Sequence, residues 1–114
     1  MHELGITENI ITQIYDECKA LKIKLLKKAY LELGNLTTYK KSSMVFYFNE
    51  LKKNYKGLEK AKLVIRTVPG KVKCFKCKKE SKIKDACLIC CKHCTSHEVK
   101  IIDGQNVVVK QIEW

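Results

Sequence analysis

A chain of 114 residues with a formal charge of +11, 46% hydrophobic and 31% charged residues, one proline and five glycines suits one domain, or a small domain with an inserted module. It excludes two large domains and a disordered or low-complexity polymer. The basic excess invites a nucleic-acid reading, yet of the 23 basic residues only Arg66 is an arginine; phosphate and base-edge readers lean on arginine's planar fork, and scattered lysine is ordinarily a solvated face.

From Leu4 to Leu21 the apolar positions Leu4, Ile11, Ile14, Cys18 and Leu21 recur at spacings of seven, three, four and three, with Ile10 widening the stripe; this predicts an amphipathic first helix with Cys18 in the core. The stretch from Ile23 to Leu33 ends in an alternation, Ala29, Leu31 and Leu33 against Lys28, Tyr30 and Glu32, stopped by Gly34-Asn35, and reads as a strand. Ser42 and Ser43 offer caps for a second helix stepping through Met44, Tyr47, Phe48, Leu51 and Tyr55 to Gly57, which is expected to pack on the sheet. A β-rich run from Ala61 to Val68 breaks at Pro69-Gly70. Residues 71–98 are crowded with cysteine and lysine and hold little to make a core, so a metal is expected to organise them. After them, Val99 to Ile102, a turn at Asp103-Gly104, and Asn106 to Ile112 predict a hairpin whose last strand returns to the first sheet.

Six of seven cysteines lie between 74 and 94. The odd total and a chain without a secretory signal or an apolar run of the roughly 20 residues that span a bilayer lead to an expected cytoplasmic location, no membrane partner, and metal ligation rather than disulfides. Cys74-Phe-Lys-Cys77 and Cys91-Lys-His-Cys94 have the spacing of two knuckle turns, and four thiolates suit a closed structural Zn²⁺ site that does no chemistry. Cys87-Leu-Ile-Cys90 is a competing second pair. Cys91 and Cys94 are preferred because Leu88-Ile89 would fill the other knuckle with apolar bulk where N–H groups must reach sulfur, but the choice stays open. His93 and His97 read as exposed loop histidines. Zinc with four thiolates is dianionic, so the seven lysines between 71 and 84 have a local use without any nucleic acid.

At the start, the α-amine of Met1, the amide nitrogens of His2 and Glu3, and the His2 imidazole can close fused chelate rings in a square plane, a set that suits Ni²⁺ or Cu²⁺; a lone early histidine is also an ordinary helix-terminus residue. The opening Met1-His2-Glu3-Leu4-Gly5-Ile6, the segment Leu33-Gly34-Asn35-Leu36, Val68-Pro69 leading into the cysteine module, the two Cys-x-x-Cys pairs, and Val109-Lys110-Gln111-Ile112-Glu113 together resemble the HypA family, nickel-insertion accessory proteins of nickel–iron hydrogenase maturation. The resemblance spans essentially the whole chain. It implies nickel, as transported ion, at Met1, His2 and Glu3, and structural zinc at Cys74, Cys77, Cys91 and Cys94. In its last knuckle the family often has a proline after the first cysteine and a glycine after the second, where this chain has Lys92 and Thr95.

The expected fold is therefore α+β: two helices packed on a small mixed β-sheet, with an inserted four-cysteine zinc-ribbon module and hinges near Pro69-Gly70 and Ser96-His97. Residues 1–70, completed by 99–114, would be the nickel-binding domain and 71–98 the zinc-binding module. Implied partners are the GTPase of the maturation pathway, the hydrogenase large-subunit precursor and, in some organisms, urease accessory proteins, with a homodimer left open. No glycine-rich phosphate loop, nucleophile elbow or open three-ligand metal site points to an enzyme. The rival readings are a basic zinc-ribbon nucleic-acid binder and an iron-bearing, rubredoxin-like electron carrier using the same four sulfurs.

Overall fold

A computed structural model describes residues 2–83 and 89–114, with the side chain of His2 outside the description. Among the described residues the order is α1 (His2–Ala20), β1 (Lys28–Gly34), α2 (Lys41–Leu51), a 3₁₀ turn (Lys52–Asn54), β2 (Lys62–Val68), β3 (Gly70–Cys74), β4 (Glu80–Ile83), β5 (Val99–Asp103) and β6 (Val107–Glu113). The chain divides into two compact units, Met1–Leu31 with Tyr39–Ile65 and Val109–Trp114, and Glu32–Thr38 with Arg66–Val108.

In the first unit the helix period does what its spacing requires. Thr7, Ile10, Ile11, Ile14 and Cys18 of α1 are buried, as are Met44 and Phe48 of α2 and Ala29 and Leu31 of β1, so two apolar stripes and one strand face share a core. Tyr15 and Tyr55 meet edge to face, 5.1 Å between centroids. Leu21, expected on the α1 stripe, is instead 51% exposed. The helix has ended at Ala20; Lys22 takes φ 57°, and the Lys22 and Ile23 N–H groups donate to Lys19 and Cys18 carbonyls, a Schellman turn that points Leu21 away.

Nor do Ser42 and Ser43 cap α2. They lie inside its first turn, which begins at Lys41, and the capping position is Lys40. The Lys40 N–H donates to the Glu3 carboxylate (3.2 Å), so α2 receives its acidic cap from another helix.

One sheet has the order β2-β1-β6. Hydrogen bonds of Lys62 to Lys27 and of Asn35 to Val68 run in rising register, so β1 and β2 are parallel; those of Lys27 to Glu113 and Gly34 to Asn106 run oppositely, so β1 and β6 are antiparallel. The sheet is mixed, as expected. The second sheet has the order β4-β3-β5 and is antiparallel throughout, Lys73 lying opposite Glu80 on β4 and Lys100 on β5.

This corrects the predicted hairpin: β5 pairs with β3, while β6 joins β1. Three glycines of the second unit allow it. A Cβ on Gly34 would strike the Gly104 carbonyl, and Gly104, at φ +91°, has the Gly70 backbone where its own Cβ would stand. The turn after β5 therefore lies on bare backbone instead of closing a two-stranded ribbon. The cysteine-rich segment is also better furnished than its composition suggests, since Val72, Ile83, Cys74 and Cys91 are all nearly inaccessible.

Gly104→Ala should destabilise the protein by about 2 to 4 kcal/mol, combining a left-handed backbone with a backbone clash. Gly5→Ala, in the open interior of α1, should stabilise it by up to about 1 kcal/mol. Urea denaturation of both variants checks the pair; equal effects would refute the packing role of Gly104.

Candidate metal centre

Two turns of matching geometry build the site. In the first, the Lys78 N–H donates to the Cys74 carbonyl (3.1 Å) and Lys78 takes φ 62°. In the second, the Thr95 N–H donates to the Cys91 carbonyl (2.9 Å) and Thr95 also takes φ 62°. Each turn puts two cysteines three residues apart on one side and lets main-chain N–H groups reach sulfur: Cys77 N–H to Cys74 Sγ (3.5 Å) and His93 N–H to Cys91 Sγ (3.4 Å). Thr95 thus occupies a left-handed position that glycine would hold without steric cost.

The turns bring Cys74, Cys77, Cys91 and Cys94 together, their sulfurs all within 4.8 Å of one another. The close pairs are Cys74 with Cys94 and Cys77 with Cys91, each at 3.5 Å. Four sulfurs about 2.3 Å from a central ion stand roughly 3.8 Å apart, so the arrangement fits a tetrahedral Zn²⁺ with no position left open.

Each close pair holds one acidic and one basic thiol. The Cys77 N–H leads in lowering Cys74. Burial opposes ionisation of Cys91, but the N–H groups of Cys94 and His93 outweigh it and bring that thiol down to about 6. Cys77 accepts the Lys79 N–H, yet burial and the facing sulfurs raise it. Cys94 accepts the Ser96 N–H and is nevertheless pushed up to about 11 by the Cys74 sulfur and by burial. The main-chain N–H groups thus favour the thiolates of Cys74 and Cys91, Cys77 and Cys94 hold their protons more firmly, and a divalent ion bound by all four sulfurs displaces the protons that remain.

The other residues singled out by the sequence divide as follows. Cys18 is a core thiol, 4% exposed, whose burial raises its pKa first and Glu17 second. Cys90 is half-buried and stands outside the cluster; Cys87 lies outside the described residues. His93 and His97 are exposed, their rings near the Glu80 and Ile89 carbonyls. At the start of the chain, His2 and Glu3 open α1; Met1 and the His2 side chain lie outside the described residues.

Two side-chain roles escaped the sequence reading. Ser81, buried on β4, accepts the Lys92 N–H (3.2 Å) and turns its hydroxyl to Cys91 Sγ (4.0 Å), fixing the second knuckle on the sheet. The only cue was its place in a short strand beside the first knuckle. The Glu3 carboxylate, capping α2, left no cue, because its partner is 37 residues away.

Comparison with known proteins gives one answer. The family described as "Hydrogenase/urease nickel incorporation, metallochaperone, hypA" matches residues 1–114. Proteins named hydrogenase maturation factor HypA from Nostoc sp. and Trichodesmium erythraeum are 34% identical over 113 residues and 35% over 114, each alignment covering 99% of this chain and 95% of the relative. The solution structure of the Ni metallochaperone HypA from Helicobacter pylori superposes with a TM-score of 0.73 at 19% identity, covering 97% of this chain and 95% of that one. A second solution structure of a HypA protein gives 0.74 at 20% identity, with coverage of 99% and 95%. The two structures establish likeness of fold.

Zinc binding at pH 7 should release fewer than four protons, because Cys91 is brought down to about 6, read by calorimetry in buffers of differing ionisation enthalpy; release of four would mean that none of the thiols is ionised before the ion arrives. Ser81→Ala should weaken zinc affinity about tenfold without unfolding the chain, measured by competition with a chelator.

Proposed function

The chain belongs to the HypA family of hydrogenase and urease nickel-incorporation metallochaperones, and from that premise we propose that it carries Ni²⁺ at Met1, His2 and Glu3 and hands it on during hydrogenase maturation. The observation that carries this reading is the family match over residues 1–114, which takes in Met1-His2-Glu3. Where Met1 bears a free α-amine, that amine, the His2 and Glu3 amide nitrogens and the His2 imidazole supply a planar all-nitrogen set suited to Ni²⁺. His2 and Glu3 are the first two residues of α1, and amides of a first turn serve no intrahelical bond. An ion can therefore take those nitrogens and leave the helix intact.

Such a donor set also explains release. Its amide nitrogens must be deprotonated to bind, so protonation, or a better ligand set on an acceptor, lets the ion go; transfer is ligand exchange. In this reading residues 1–70 with 99–114 hold the nickel site, and 71–98 form a module in which Cys74, Cys77, Cys91 and Cys94 hold a structural zinc. The partners are the pathway's GTPase and the hydrogenase large-subunit precursor, with urease accessory proteins as further clients. The work is done in the cytoplasm.

His2→Ala should lower nickel affinity by more than about a hundredfold, because even a residue that only orients a ligand costs up to that much, while zinc content and thermal unfolding stay unchanged. Nickel titration of protein with its native start is the check; unchanged affinity would overturn the assignment.

A further inference from the structure

Beside the first knuckle the second unit carries a cleft of about 300 Å³ lined by Lys73, Cys74, Phe75, Lys78 and Lys100. Its apolar wall is Phe75, 57% exposed although its N–H is tied to the Glu98 carbonyl (2.9 Å). The turn does not ask for an aromatic there: the equivalent place in the second knuckle is held by Lys92. A bare ring on a fixed backbone leaves apolar surface in water that a partner side chain could cover.

The rim is cationic in a way the fold does not balance. Lys73 lies directly opposite Lys100, and like charges at facing strand positions repel. Lys78 is delivered to the same rim by the left-handed turn. Among the described residues none of the three ammonium groups pairs with a carboxylate; Glu80, across from Lys73 on β4, bonds Lys71 instead (3.7 Å). Four thiolates around a divalent ion leave two negative charges. Lys76 and Lys79 flank the same knuckle, so neutralising the cluster does not require all of these lysines.

We propose that this cleft docks an acidic segment of a partner protein, its carboxylates meeting Lys73, Lys78 and Lys100 and one apolar side chain covering Phe75. Ammonium groups serve carboxylates as point charges, whereas a nucleic-acid groove would want arginine forks and a row of stacking rings, and this rim has one ring and no arginine. The inference goes beyond the nickel reading and holds whether or not Met1 and His2 bind nickel.

The test uses the full, zinc-loaded chain and a short fluorescent peptide of glutamates around one central leucine, with binding read by anisotropy. Lys73→Gln with Lys100→Gln should weaken binding roughly tenfold and leave thermal stability unchanged or raised, since a repulsive pair is removed. Phe75→Ala should weaken binding several-fold without changing the salt dependence, zinc content reporting that the knuckle is intact. Lys24→Gln with Lys60→Gln, exposed lysines of the other unit, should change it less than about twofold. Equal loss from the remote pair, no peptide binding at low salt, or tighter binding of a single-stranded RNA of equal charge would each overturn the proposal.

Discussion

Four sulfurs held within 4.8 Å of one another are the constraint on which the second unit depends. Burial disfavours the thiolate form of every one of them. With a divalent ion the same positions become a tetrahedron, and its binding energy is folding energy for the turns that deliver the cysteines. The small β4-β3-β5 sheet gives those turns a floor, with Val72 and Ile83 buried beside Cys74 and Cys91. Where apolar area is scarce, an ion held by these four cysteines would stand in for a larger core.

The two ends of the proposed chemistry call for opposite donors. Sulfur in a closed tetrahedron suits an ion that stays; nitrogen in an exposed plane suits one that must leave. The first turn of α1 is also tied into the fold, because the Glu3 carboxylate receives the Lys40 N–H while the Thr7 hydroxyl, wholly buried, donates to the Glu3 carbonyl. In the nickel reading Glu3 thus lends its amide to the ion and its side chain to α2, so that amide sits on a braced backbone.

What the sequence made legible follows from locality. The α1 stripe through Ile11, Ile14 and Cys18, the β1 alternation of Ala29, Leu31 and Leu33, and the two knuckles are short-range patterns, and the structure places them so. Apart from Leu21, turned outward by the local turn at Lys22, the failures come from beyond the local pattern. Asp103-Gly104 has good hairpin chemistry, but the backbone contact of Gly104 with Gly70 and Gly34 sends β5 and β6 to different sheets, a decision made by residues 34 and 70 positions away in the chain. Ser42 and Ser43 are good caps locally and are overridden by Glu3. Ser81 was invisible because one serine in a strand carries no periodic signal. The cluster at Cys74, Cys77, Cys91 and Cys94 was readable as spacing, and the three-dimensional structure adds the N–H donors that favour the thiolates of Cys74 and Cys91.

The central claim is that one chain keeps two metal chemistries apart, nitrogen for the carried ion and sulfur for the structural one. X-ray absorption at the nickel and zinc edges of protein loaded with both ions tests it most directly. The account requires a nickel shell of nitrogen alone and a zinc shell of four sulfurs at about 2.3 Å. Sulfur in the nickel shell, with nickel displacing zinc from the cysteines, would contradict it.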